Sequence, residues 1–200
     1  MLSLIFFICI TVFLLIHLND ILGMRIGFEA EAKNNLFPDE NSVKEISPDF
    51  KIQEKIEKLS KIFPTFNGHD FLEKAKKAFE IIFVAYAEED KNTLNNLLSQ
   101  RMYSAFSLAI DDRKNRREKL EGLLVRFISA EIIDVTIEGN DVFLDVKFVT
   151  EQSNVLKNRL GEVIEGNSDY VEVRTDVWSF NRKKISANQM WLLYEIKNQE

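Results

Sequence analysis

The stretch Val142-Phe143-Leu144-Asp145-Val146-Lys147-Phe148-Val149 decides the fold class. Val142, Leu144, Val146 and Phe148 take every second position with Asp145 and Lys147 between them, the period of a strand with one buried face. Just before it, Glu138-Gly139-Asn140-Asp141 has the composition of a tight turn, and residues 123–137 are rich in Leu, Val and Ile, so the two runs predict an antiparallel hairpin. Downstream, a polar connection carrying Gly161 and Gly166 leads to a third alternating run, in which Val171, Val173 and Val177 are separated by Glu172, Arg174 and Asp176. A last strand is predicted from Met190 to Ile196. Upstream the period lengthens. Phe71, Ala75, Ala78, Phe79, Ile82 and Tyr86 share one helical face behind a D-x-x-E capping box at Asp70 and Glu73. Asp90 caps a short helix with Leu94, Leu97 and Leu98, and Ser99 caps a third with Met102, Phe106, Ala109 and Ile110. Helices first and an antiparallel meander second make the domain α+β, with the helices covering one face of the sheet.

Toward the N-terminus the character changes twice. Ile52, Ile56, Leu59 and Phe63 are spaced for one face of a helix that Pro64 ends, and Lys51, Lys55 and Lys58 flank one shoulder of that stripe. Such a helix suits either an anionic membrane surface or its own domain, with the lysines left in water. Residues 29–48 mix polar side chains with Pro38 and Pro48 and read as linker. Met1 to Leu18 holds no Asp, Glu, Lys or Arg in a chain that is 29% charged. About 18 helical residues span roughly 27 Å, close to the hydrocarbon thickness of a bilayer. No basic residue precedes this run and no small-residue cleavage site follows it, which favours a retained anchor over a cleaved signal peptide. Arg25 and Lys33 follow the anchor, so the positive-inside rule turns the C-terminal domain toward the cytoplasm. The expected organisation is a transmembrane anchor over 1–18, linker and neck helix over 19–66, and the α+β domain over 67–200.

Several function classes are excluded or weakened by composition. A formal charge of −6 argues against a nucleic-acid binder. Cys9, the single cysteine, lies in the anchor, which removes an intramolecular disulfide and a Cys-based zinc site. His17 and His69 are separated by the whole neck and suggest no ligand pair, and there is no Gly-rich phosphate loop or G-x-S-x-G elbow. No cofactor is therefore expected, and no catalytic set stands out. Asp176, Tyr103 and Tyr194 are the side chains a pocket enzyme would draw on. The one strong charge cluster is Arg113-Lys114-Asn115-Arg116-Arg117-Glu118-Lys119, where the third helix ends; it can complement the helix dipole, meet anionic lipid, steer an acidic partner or simply keep an exposed loop soluble.

The ordered set Phe71-Leu-Glu-Lys-Ala-Lys-Lys-Ala-Phe79-Glu, Ala85-Tyr-Ala-Glu-Glu-Asp90, Leu94-x-x-Leu97-Leu98-Ser99, Val146-Lys-Phe-Val-Thr-Glu151, Gly161-Glu-Val-Ile-Glu-Gly166 and Thr175-Asp-Val-Trp178-Ser-Phe180 resembles the Tim44-like domain. That domain occurs in the tether of the mitochondrial inner-membrane import machinery and in bacterial relatives. The anchor exit, Asp20-Ile-Leu-Gly23-Met-Arg25-x-Gly27, is similar to the bacterial members, and no Arg- and Ser-rich presequence opens the chain. The resemblance implies a curved antiparallel sheet wrapped against helices, as in cystatin-like and nuclear-transport-factor-two-like folds, with an apolar groove and contact with the inner membrane. It implies a non-enzymatic adaptor that binds anionic lipid and a protein partner, of translocase or chaperone type. The candidate membrane and partner contacts are Lys51, Lys55, Lys58, Arg113, Lys114, Arg116 and Arg117, and the candidate groove lining is Phe79, Phe83, Phe148 and Trp178. The alternative is a carrier that holds a lipid-like ligand in the groove.

Overall fold

The computed structural model describes residues 48–167, 170–185 and 190–197, with side chains from Ile52 onward. The expected anchor, the linker and the side chain of Lys51 lie outside the described residues. Four helices come first: α1 (Pro48–Ile62), α2 (Gly68–Ala87), α3 (Lys91–Leu97) and α4 (Gln100–Arg116). Five strands follow: β1 (Lys119–Glu138), β2 (Asp141–Lys157), β3 (Val163–Gly166), β4 (Glu172–Lys183) and β5 (Leu192–Lys197). The α+β order expected from the sequence is present. No described helix is long and apolar enough to cross a membrane.

Local chemistry explains where these elements begin. Asp90 accepts from the backbone N–H groups of Asn92 and Thr93, and the Ser99 hydroxyl accepts from Met102, as N-caps should. α2 starts earlier than the expected capping box. Asn67 caps it by accepting from the Asp70 N–H at 3.1 Å, and Glu73 pairs instead with Lys76 one turn along. The β1–β2 turn has Gly139 at φ +55°, where a side chain would be strained.

The sheet order is β1-β2-β4-β5, all antiparallel, and β3 adds to the far end of β2 beyond the reach of β4. Three register shifts interrupt the β1–β2 ladder, at Leu124/Arg126, Phe127/Ser129 and Ile132/Asp134. Each extra residue bends the strand and increases its twist, so the long hairpin curves. The helices fill the resulting hollow. Val142, Leu144, Val146 and Phe148 are fully buried on the helix-facing side, joined there by Trp178 and Phe180 of β4 and by Phe71, Ala75, Phe79 and Ile82 of α2. α1 is part of this core, because its Leu59 is fully buried.

Candidate functional site

The basic side chains singled out from the sequence have different surroundings. Lys55 of α1 pairs with Asp134 of β1, and Lys58 pairs with Glu54 at 2.8 Å on its own helix. The Asp134 carboxyl is pushed up by burial, but the Lys55 ammonium, the Val135 N–H and the Thr136 hydroxyl outweigh this and hold it below the ordinary Asp range. At the end of α4, Arg113 is buried. Its guanidinium donates to the Tyr86 carbonyl at 2.7 Å, lies 4.8 Å from the centre of the Tyr86 ring and approaches Glu89 at 3.6 Å. Arg113 is a tie between α4 and the end of α2, and it is withdrawn from any surface. Lys114 pairs with the same Glu89 at 3.1 Å, and Arg116 pairs with Asp112 and with Glu118. Arg117 is exposed and closes the helix in a left-handed conformation, φ 56°. The α1 lysines and the α4 cluster do not form one patch, since β1 from Lys119 to Asp134 runs roughly 45 Å along its path between them.

The four aromatic candidates are a packed cluster. Phe79 stacks on Trp178 with centroids 4.4 Å apart and planes at 26°, and meets Phe148 at 5.1 Å and Phe83 at 6.3 Å. Phe79, Phe148 and Trp178 are buried, so the space between them is taken by their own rings. Polar residues on which chemistry could be built are scattered. Asp176 sits in register with Phe148 on the helix-facing side, whereas Tyr194 packs edge-on against Phe143 in the strands' outer row. His69 is exposed beside Asp70, and among the described residues no three His, Cys, Asp or Glu side chains are grouped to hold a metal.

A groove is present elsewhere, between α2 and the first half of β1. It has a volume of about 560 Å³, with Ile81 and Val84 of α2 on one wall and the strand from Gly122 to Phe127 on the other. Leu123, Val125 and Val84 are apolar yet about half exposed or more. At the corner where α2 meets α3, Glu88 and Asp90 close one end. Asp90 is held ionised first by the Thr93 hydroxyl and then by backbone N–H groups. The other charges on the walls are neutralised locally, Lys77 by Glu80 at 2.8 Å and Arg126 by a two-pronged pair with Glu151 at 2.5 and 2.8 Å. Sequence reasoning missed this groove, although the run of Leu and Val at 122–127 without alternation was its trace.

Comparison with known proteins places the domain. No curated protein matches. Among solved structures, the intermembrane space region of the chloroplast protein ARC6 is 15% identical over 67% of this chain and 97% of its own, with a TM-score of 0.49. An NTF2-like family protein from Streptomyces avermitilis is 11% identical over 62% of this chain and 92% of its own, with a TM-score of 0.34. The family model described as Tim44-like domain matches residues 52–198, which takes in every element from the body of α1 to β5. The ordered helix and strand motifs thus sit in one continuous domain, and the chain belongs to the Tim44-like domain family.

Proposed function

We propose that this chain is a non-enzymatic, single-pass adaptor of a bacterial inner membrane, holding its Tim44-like domain against the cytoplasmic face for a protein partner. One observation carries the reading: a domain of a membrane-associated family follows a run, Met1 to Leu18, that has no charged side chain. Arg25 and Lys33 beyond the run support the cytoplasmic orientation. Anionic lipid contact falls to the exposed cations. Lys58, Lys114 and Arg116 qualify, since their ion pairs are weak enough at a surface for headgroup phosphates to compete, and so does the exposed Arg117. The adaptor reading is favoured over the carrier because Phe79, Phe148 and Trp178 pack on one another where an apolar ligand would lie. Asp176 and Tyr194 lie on opposite faces of the sheet, which separates two of the side chains a pocket enzyme would draw on.

Protease treatment of spheroplasts tests the proposal. The domain is expected in the membrane fraction and resistant until the membrane is opened, after which residues 48–197 are cut. Digestion in unbroken spheroplasts would place the domain on the other side, and recovery of the chain in the soluble fraction would remove the anchor.

A further inference from the structure

We infer that the groove between α2 and the first half of β1 is a docking site for a short extended peptide segment, which pairs with the free edge of β1 and carries a basic residue at its end by Glu88 and Asp90. The inference deepens the adaptor reading, on which it rests, by giving the partner's binding mode. β1 is an end strand of the sheet, with β2 as its partner in the described ladder. Every second residue of an end strand turns its N–H and C=O away from the sheet, and such a row recruits another strand. Residues 122–127 all line the groove, so it runs along that edge. Its apolar rim, Leu123, Val125 and Val84, provides seats for alternate side chains of an added strand.

Charge and register decide the occupant. With Lys77 and Arg126 neutralised by Glu80 and Glu151, the groove keeps a net negative end at the α2–α3 corner, from the exposed Glu88 and from Asp90, whose carboxylate also caps α3. A partner segment complements this with apolar residues at alternate positions and a Lys or Arg at one end. A second copy of β1 fits poorly, because three register shifts along twenty residues spoil a long, flat pairing. A segment of four to six residues is short enough to end at the first shift, beside Leu124 and Arg126.

The probe is a capped synthetic hexapeptide, Lys-Val-Thr-Val-Thr-Val, titrated into the full chain in lipid nanodiscs. Binding is followed by peptide fluorescence polarisation and by hydrogen exchange of backbone amides. Protection of the outward-facing amides up to Leu124, where the first shift lies, is expected. Two control peptides separate the terms: N-methylation of alternate amides removes the edge pairing and should abolish binding, and Lys replaced by Glu should weaken it. Glu88→Lys, an exposed helix-end change that leaves the core intact, should weaken the Lys peptide about two- to fivefold and relieve the Glu peptide. Val84→Glu on the exposed wall should weaken both. An N-methylated peptide that binds as well as the parent, or protection elsewhere in the chain, would overturn the inference. So would no binding at all, while an unchanged membrane fraction in the same preparation would leave the adaptor reading standing.

Discussion

Trp178→Ala tests whether the aromatic cluster is the structural centre of the domain or a binding surface. Trp178 is 6% exposed, lies face to face with Phe79 at 4.4 Å and meets Phe148 edge-on at 5.8 Å. Truncation removes the ring from three elements at once, α2, β2 and β4, and leaves a cavity that Phe79 and Phe148 cannot fill without leaving their own rotamers. Such changes cost about 3–5 kcal/mol, a large part of the roughly 5–15 kcal/mol that holds a domain together. For a unit of this size each kcal/mol moves the midpoint by about 2–4 °C, so the loss is roughly 6–20 °C. Thermal and urea unfolding of the full chain in nanodiscs, read by circular dichroism, measure it, with the urea slope unchanged. Trp178→Phe keeps a ring against Phe79 and should lose less than half as much. If Trp178→Ala melted within about 2 °C of the parent and instead lost ligand binding, the cluster would be a binding surface and the carrier reading would displace the adaptor.

The basic cluster divides in two under substitution. Arg113→Ala strands the Tyr86 carbonyl and leaves Glu89 with Lys114 alone, at a cost of about 2–4 kcal/mol, whereas Arg117→Ala costs less than about 0.5 kcal/mol. Equal melting of the two variants would mean that Arg113 is not the tie described. Acid unfolding should weaken the hold of β1 on α1. Because the folded state holds Asp134 below its ordinary value, its contribution is present above the unfolded value near 3.8 and is lost as pH falls through the folded one. Asp134→Asn should therefore lower the urea midpoint at pH 7, by an amount that shrinks as the pH is taken down below 3.8; a drop that did not shrink would assign the effect to packing.

Which parts of this architecture a reader could take from the sequence depended on how regular the local chemistry was. β2 reads directly, because Val142, Leu144, Val146 and Phe148 keep the pleat period without a break. β1 reads only as an apolar run, since its three register shifts put Val125, Ile128 and Ile133 out of phase and erase the alternation. Asp90 and Ser99 are legible caps, but Asn67 and Asp70 compete for the start of α2, and the choice is made by backbone geometry that composition does not carry. Arg113 had a readable signal. It follows Phe106 and Ile110 at spacings of four and three, on the face that turns inward, while Lys114 is turned off that face and Arg116 and Arg117 come where the helix ends.

The groove was illegible for a different reason. Its walls come from α2 and β1, some forty residues apart, and its meaning depends on which strand ends the sheet. Four strands in the order of the chain would be compatible with any of several neighbour relations, and only the pairing of β2 with both β1 and β4 exposes the β1 edge. An edge left open is a liability, which proteins blunt with bulges and charge. β1 has both beyond Leu124: the register shifts, and Arg126 clamped to Glu151. The protection is incomplete over Gly122 to Leu124, where Leu123 faces water and Gly122 has no side chain. Adding a Cβ there would bring it within 2.9 Å of Phe83 and 3.1 Å of the Asn154 side chain of β2, so the glycine is explained by the approach of α2 together with that neighbour. That close approach also sets the inner limit of the groove, with one wall of helix and one of strand edge. A partner segment therefore enters as a strand from the open side, beneath Val84, and the bulge after Leu124 stops it from growing into a second sheet.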